Sequence, residues 1–137
     1  MSNHQGLKSR NLLTFPLDIP EVEVISVEIN ERGDYIVTVE STRNSAVCPT
    51  CGERLTKFNG HGREIELRHL PILGHRVYIR IRPKQYECLK CKGKITTQKL
   101  DWYETKSPHT KAYDRHLMLQ LVNSTVEDVS QIGRAHV

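Results

Sequence analysis

Cys48-Pro49-Thr50-Cys51-Gly52 and Cys88-Leu89-Lys90-Cys91-Lys92 are the two stretches on which the reading of this chain turns. Each holds a Cys-x-x-Cys pair, 36 residues separate the pairs, and the chain has four cysteines in all. A Cys-x-x-Cys turn lets two thiolates meet one ion while the turn's backbone amides point at the sulfurs. Two such turns complete a tetrahedron suited to zinc. With four protein ligands no position is left for water, so Cys48, Cys51, Cys88 and Cys91 are expected to hold one structural zinc ion. Three other readings remain. Four unrelated small core cysteines are one, rubredoxin-type iron on the same ligand set is the second, and a redox-active pair is the third. No apolar h-region opens the chain at MSNHQGLKSR, which favours a reducing, cytoplasmic setting in which paired thiols are metal ligands more often than disulfides.

Between the cysteine pairs lie two β-like runs, REIELRHL (63–70) and HRVYIRIRP (75–83), joined through Pro71-Ile72-Leu73-Gly74. In the second run a period of two sends Val77, Ile79 and Ile81 to one face and Arg76, Tyr78, Arg80 and Arg82 to the other. Together with Lys84 these outward residues form a cationic stripe with an aromatic, the candidate nucleic-acid surface. The rival reading is a solvated strand face partly paired with Glu64 and Glu66. His61, His69 and His75 are read as turn and surface residues rather than ligands, since four thiolates are already available. KITTQ is expected to add one more strand after the second pair.

Upstream, the β-branched runs Val22 to Ile29 and Tyr35 to Val39 flank ERGD and predict a hairpin. This segment carries six acids against one base over residues 21 to 40, whereas residues 61 to 100 carry ten bases against three acids. The hairpin is therefore expected to pack beside the cysteine-bearing segment and to stay off nucleic acid. Downstream, Ser107-Pro108 reads as a helix start and the leucine-rich run that follows predicts a helix to about Val122. Ser124-Thr125-Val126-Glu127 then reads as a capping box opening a second helix.

At 137 residues and 37% hydrophobic content, roughly 39% with Gly counted and Tyr not, the chain falls short of the ~45–50% of an ordinary soluble domain. The core must be thin. No run approaches the ~18–20 apolar residues of a membrane span, and no GxxxxGK[ST], GxSxG or HExxH occurs. The aspartates are scattered, so nothing in the sequence reads as an active site, and the chain as it stands is expected to be non-catalytic.

The order of these parts resembles the N-terminal region of the ISL-three family of bacterial insertion-sequence transposases. The parallels are the CPTCG knuckle, the turn Arg68-His69-Leu70-Pro71-Ile72-Leu73-Gly74, the strand from Arg76 to Arg82, the closure at Tyr86, Cys88 and Cys91, and an Asp101-Trp102-Tyr103-Glu104 patch before a helix. The resemblance covers about residues 40 to 131. It implies a DNA-binding zinc ribbon, a helix-turn-helix whose first helix is VNSTVEDVSQ, and a following RNase H-like domain whose acidic triad has no counterpart here. Terminal inverted repeats would be the DNA partner, and the full-length parent could self-associate. No membrane is implied.

The expected fold is α+β: a small zinc ribbon of antiparallel hairpins with an N-terminal β-hairpin and a C-terminal helical stub. The expected divisions are an extended lead-in at 1–20, the hairpin at 21–45, the ribbon at 46–100, a helical segment at 101–131 and a non-native tail at 132–137. That tail, IGRAHV, reads as one frame of a common short-read sequencing adapter followed by a stop, so the native protein is expected to continue from about Gln131. The competing function is a free-standing zinc-ribbon adaptor that binds RNA or protein in transcription or translation.

Overall fold

The computed structural model describes the backbone of residues 15–135 and the side chains of residues 15–124. Strands β1 (Val22–Ile29) and β2 (Tyr35–Ser41) form the acidic hairpin, with Asn30 Oδ1 accepting from the amides of Arg32 and Asp34 at its turn. The cysteine-bearing half supplies β3 (Ala46–Val47), β4 (Arg54–Leu55), β5 (Lys57–His61), β6 (Ile65–Ile72), β7 (His75–Ile81), β8 (Lys84–Cys88) and β9 (Lys94–Thr97). One helix, α1 (Lys111–Ala135), follows. Antiparallel hairpins with a C-terminal helix are the α+β architecture expected.

Three sheets of unequal size result: one of four strands, one of three in the order β5-β8-β9, and the two-stranded β3–β4 beside the latter. The largest has the order β1-β2-β7-β6, and β2 runs parallel to β7 with Val37 opposite Ile79 and Val39 opposite Ile81. This parallel seam joins the acidic hairpin directly to the β6–β7 hairpin. Leu73 and Gly74 both take positive φ at the tip of that hairpin, 51° and 79°. Pro71 lies inside β6, at an irregularity between His69 and Ile72 where the missing amide interrupts no ladder bond.

The period of two is realised. Val77, Ile79 and Ile81 are buried together with Leu67, Val37 and Val39 on one face. That face is covered by irregular chain, Leu17 from the lead-in and Leu100, Trp102 and Tyr103 from the segment after β9. Burial of each such side chain contributes about 1.5–3 kcal/mol.

His69 is not a surface residue: it is 2% exposed. Its Nε2 lies 2.8 Å from the Leu17 carbonyl oxygen and its Nδ1 2.8 Å from Thr110 Oγ1. A carbonyl only accepts, so Nε2 carries the proton and Nδ1 accepts from the hydroxyl. The same hydroxyl oxygen accepts from the Tyr113 amide at 3.1 Å, which makes Thr110, rather than Ser107, the N-cap of α1. Ser107 instead closes a local turn onto the His109 amide. His69 points inward because it shares a face with Leu67, two residues away. Its imidazole ties the lead-in, β6 and the helix start together.

Pro108 to Thr110 also lie along the free edge of β6, with Arg68 N donating to Pro108 O and Thr110 N to Arg68 O. Helix α1 passes unbroken through Ser124-Thr125-Val126-Glu127, so the second helix start expected there is not formed. With Val122 and Asn123 preceding it in helical conformation, Ser124 is an interior helical residue. The side chains of the capping box beyond Ser124 and of the 132–137 tail lie outside the described residues, as do residues 1–14 of the lead-in.

Burial pushes the His69 pKa down, since the enclosed site disfavours the cation. Its contribution to stability is present above the unfolded value of about 6.5 and is lost as pH falls through the lowered folded value. Wild type and His69→Gln should therefore differ by ~1–3 kcal/mol in urea unfolding at neutral pH and by less at about pH 5. An equal gap at both pH values would contradict this role.

Candidate metal centre and its basic surround

Each cysteine pair sits at the tip of a short hairpin. In the first, β3 and β4 pair through Ala46–Leu55 and Val47–Arg54, and Gly52 closes the turn by donating to the Cys48 carbonyl at 2.8 Å. Gly52 has φ of 74°, a conformation that costs glycine little and most residues more. In the second, β8 and β9 flank the turn and the Gly93 amide donates to the Cys88 carbonyl at 2.9 Å. Cations from the second turn hold the first: Lys90 Nζ lies 2.9 Å from Glu53 Oε2 and Lys94 Nζ 2.7 Å from Thr50 Oγ1.

The four sulfurs lie within 4.8 Å of one another. Across the turns, Cys48 Sγ is 3.8 Å from Cys91 Sγ and Cys51 Sγ is 3.6 Å from Cys88 Sγ. A tetrahedron with Zn–S bonds of ~2.3 Å requires sulfurs about 3.8 Å apart, so the donor set and its spacing fit one structural zinc ion. Cys48 and Cys88 are buried and form a small second core with Ala46, Leu55 and Tyr86, whereas Cys51 is exposed. The amides of Cys51 and, less strongly, Thr50 hold the Cys48 thiol down at about 6, and hydrogen bonding to Cys88 together with burial pushes Cys91 up to about 12. Without metal the cluster keeps protons that a bound cation would displace.

The basic stripe is placed as follows. Arg76 and Arg82 are exposed and have no ion pair among the described residues. Tyr78 is half-buried, with the Arg68 guanidinium 5.5 Å from its ring centre and 4.9 Å from that of Tyr113. Arg80 Nε donates to Glu66 Oε2 at 2.8 Å, the strand-face pairing that the rival reading of the stripe foresaw. Lys84 opens β8, at the end of the strand away from Cys88, and donates to Asn44 Oδ1 at 3.1 Å. The histidines His61 and His75 stand apart from the sulfurs, on Glu40 and on the Gly33 carbonyl.

The sequence marks Tyr86 only as part of the closure with Cys88 and Cys91, and its packing against Cys48 and Cys88 is added by the structure. The Glu53–Lys90 clamp is not read from sequence, where its one signal is the opposite charges just outside and inside the two turns.

Paired turns, short flanking hairpins and four convergent sulfurs define a zinc ribbon. Residues 44–91 match the family model described as the zinc-finger of transposase IS204/IS1001/IS1096/IS1165, the ISL3 zinc ribbon. No curated protein and no solved structure matches the chain.

In the zinc-loaded protein, exposed Cys51 should react with a thiol reagent no faster than buried Cys48, and all four cysteines should become reactive after chelation. Cys51→Ser should weaken zinc retention and lower the melting temperature. Immediate modification of Cys51 in zinc-loaded protein would argue against shared ligation.

Proposed function

We propose that this chain acts as the amino-terminal, DNA-binding part of a transposase, with Cys48, Cys51, Cys88 and Cys91 as the zinc ligands and no catalytic step of its own. The observation that carries the reading is the coincidence of the transposase zinc-ribbon match at 44–91 with the four-sulfur cluster and with exposed cations on the strands between the cysteine pairs. DNA in the cytoplasm is the partner. No helix among the described residues is long and apolar enough to cross a membrane. In the full-length parent the DNA would be the terminal inverted repeats, with self-association of the parent accompanying their pairing.

Within this reading Arg76, Tyr78, Arg80, Arg82 and Lys84 face the phosphates. Guanidinium groups contact phosphate oxygens without reading sequence. Arg80 must exchange Glu66 for phosphate, so its gain is the smallest of the set. The acidic hairpin turns Glu28 toward the same face and limits how far a duplex can extend across it.

Affinity for duplex DNA should be weak, tolerant of sequence and dependent on salt. About three phosphate contacts, by Arg76, Arg82 and Lys84, give a slope of log K against log salt near −3. Replacing Arg76 and Arg82 together by Ala should flatten that slope by about two units with the zinc retained. An unaltered slope would reject the stripe and favour an adaptor that binds protein.

A further inference from the structure

Arg68 carries a charge that the fold positions and leaves without a counter-ion. Its amide and carbonyl bond to Pro108 and Thr110, at 2.9 and 3.0 Å, rather than to β7. It therefore faces Tyr78 as a non-hydrogen-bonded pair, the kind whose side chains lie closest. Its neighbours Leu67 and His69 are buried in the core, so the guanidinium stands on the outer face of the sheet, with the stripe. There it lies 5.5 Å from the centre of the Tyr78 ring and 4.9 Å from that of Tyr113, in the first turn of α1. Both distances fall within the ~6 Å of a cation–π contact.

The two rings hold the group in place but supply no ionised acceptor. Glu66, two residues before it on β6, is engaged by Arg80 at 2.8 Å, and Asp114, beside Tyr113, by His109 at 2.9 Å. Arg68 has no ion pair, and its side chain no hydrogen-bond acceptor, among the described residues. Of its three side-chain nitrogens only Nε is enclosed without a partner, so the two terminal nitrogens reach solvent. A guanidinium fixed in this way has already lost its rotamer freedom and turns its planar fork outward, the geometry that meets an oxyanion bidentately.

The neighbouring cation selects the anion. Arg76 precedes Tyr78 by two residues on the same face of β7, is exposed and has no ion pair among the described residues. Arg68 and Arg76 are thus diagonal neighbours across the strand pair, about 7–8 Å apart at the backbone. Two unpaired cations side by side suit a chain of phosphates better than a single carboxylate. We infer that Arg68 is a further phosphate contact of the DNA surface, held for that role by Tyr78 and Tyr113, and that the surface so extends from the β7 stripe across β6 to the first turn of α1. The inference rests on the DNA-binding reading. It makes Tyr113 a positioning residue and ties the direction of α1 to the duplex. With this contact the wild-type salt slope steepens from near −3 to nearer −4.

The test is a salt series of duplex binding by the zinc-loaded full chain, read by fluorescence anisotropy. Arg68→Ala should weaken binding to duplexes of unrelated sequence alike and flatten the slope of log K against log salt by about one. Tyr113→Leu keeps every charge but removes the ring over the guanidinium, and should weaken binding about two- to fivefold with the slope unchanged. Arg68→Lys, which keeps the charge without the planar fork, should behave like Tyr113→Leu. A merely structural Arg68 would lower the melting temperature of Arg68→Ala and leave the slope of the folded, zinc-bound variant at the wild-type value. That result overturns the inference and leaves the DNA-binding reading standing. If Arg68→Ala fails to fold, wild-type affinity in both Arg68→Lys and Tyr113→Leu overturns it equally. Absence of duplex binding by the wild-type chain overturns both.

Discussion

Four thiolates brought within one coordination sphere are the constraint on which the rest of this molecule depends. The two cysteine turns lie 36 residues apart, and the chain between them contains β4 to β8, including both strands of the larger sheet's second hairpin, β6 and β7. One ion bridging Cys48 and Cys51 to Cys88 and Cys91 closes that loop and fixes where the intervening hairpin begins and ends. The second core beside the sulfurs comprises Ala46, Cys48, Leu55, Tyr86 and Cys88 among its buried members. So few apolar side chains would not hold two short hairpins together without the metal.

The larger sheet has a separate source of stability. Its buried face is continuous across β2, β7 and β6, and the chain covers it with Leu17, Leu100, Trp102 and Tyr103 rather than with a helix. His69 sits where the lead-in segment of this cover meets the helix start, satisfying a carbonyl from one and a capping hydroxyl from the other. Positioning of α1 therefore passes through a buried polar group on β6. The outer face of the same sheet is electrically mixed, and the Arg80–Glu66 pair is exposed enough that its net worth is small.

Sequence alone made the cysteine chemistry and the alternation of β7 readable because both are local: a fixed spacing in one case, a period of two in the other. The hairpin from Val22 and the turn through Gly74 were readable for the same reason. The parallel seam between β2 and β7 was not, because a parallel pair of strands from distant segments leaves no turn residues to announce it. His69 was misjudged because a histidine two residues from Leu67 carries no mark of which partners wait on the inward face. The helix start was misplaced by three residues: Ser107-Pro108 has the residue types of a cap, but the hydroxyl that receives a helical amide belongs to Thr110. The predicted break at Ser124 rested on a capping box, and a serine at that position is also tolerated within a helix.

If the metal is what closes the ribbon, its removal must be felt as loss of fold and not only as loss of an ion. The most direct measurement is the metal content of the purified chain, followed by thermal unfolding with and without a chelator. The account predicts one zinc per chain and a cooperative transition that is lost or moves far down in temperature on chelation, in keeping with an apparent contribution on the order of 10 kcal/mol. A metal-free chain with the same circular dichroism and the same melting temperature would contradict it.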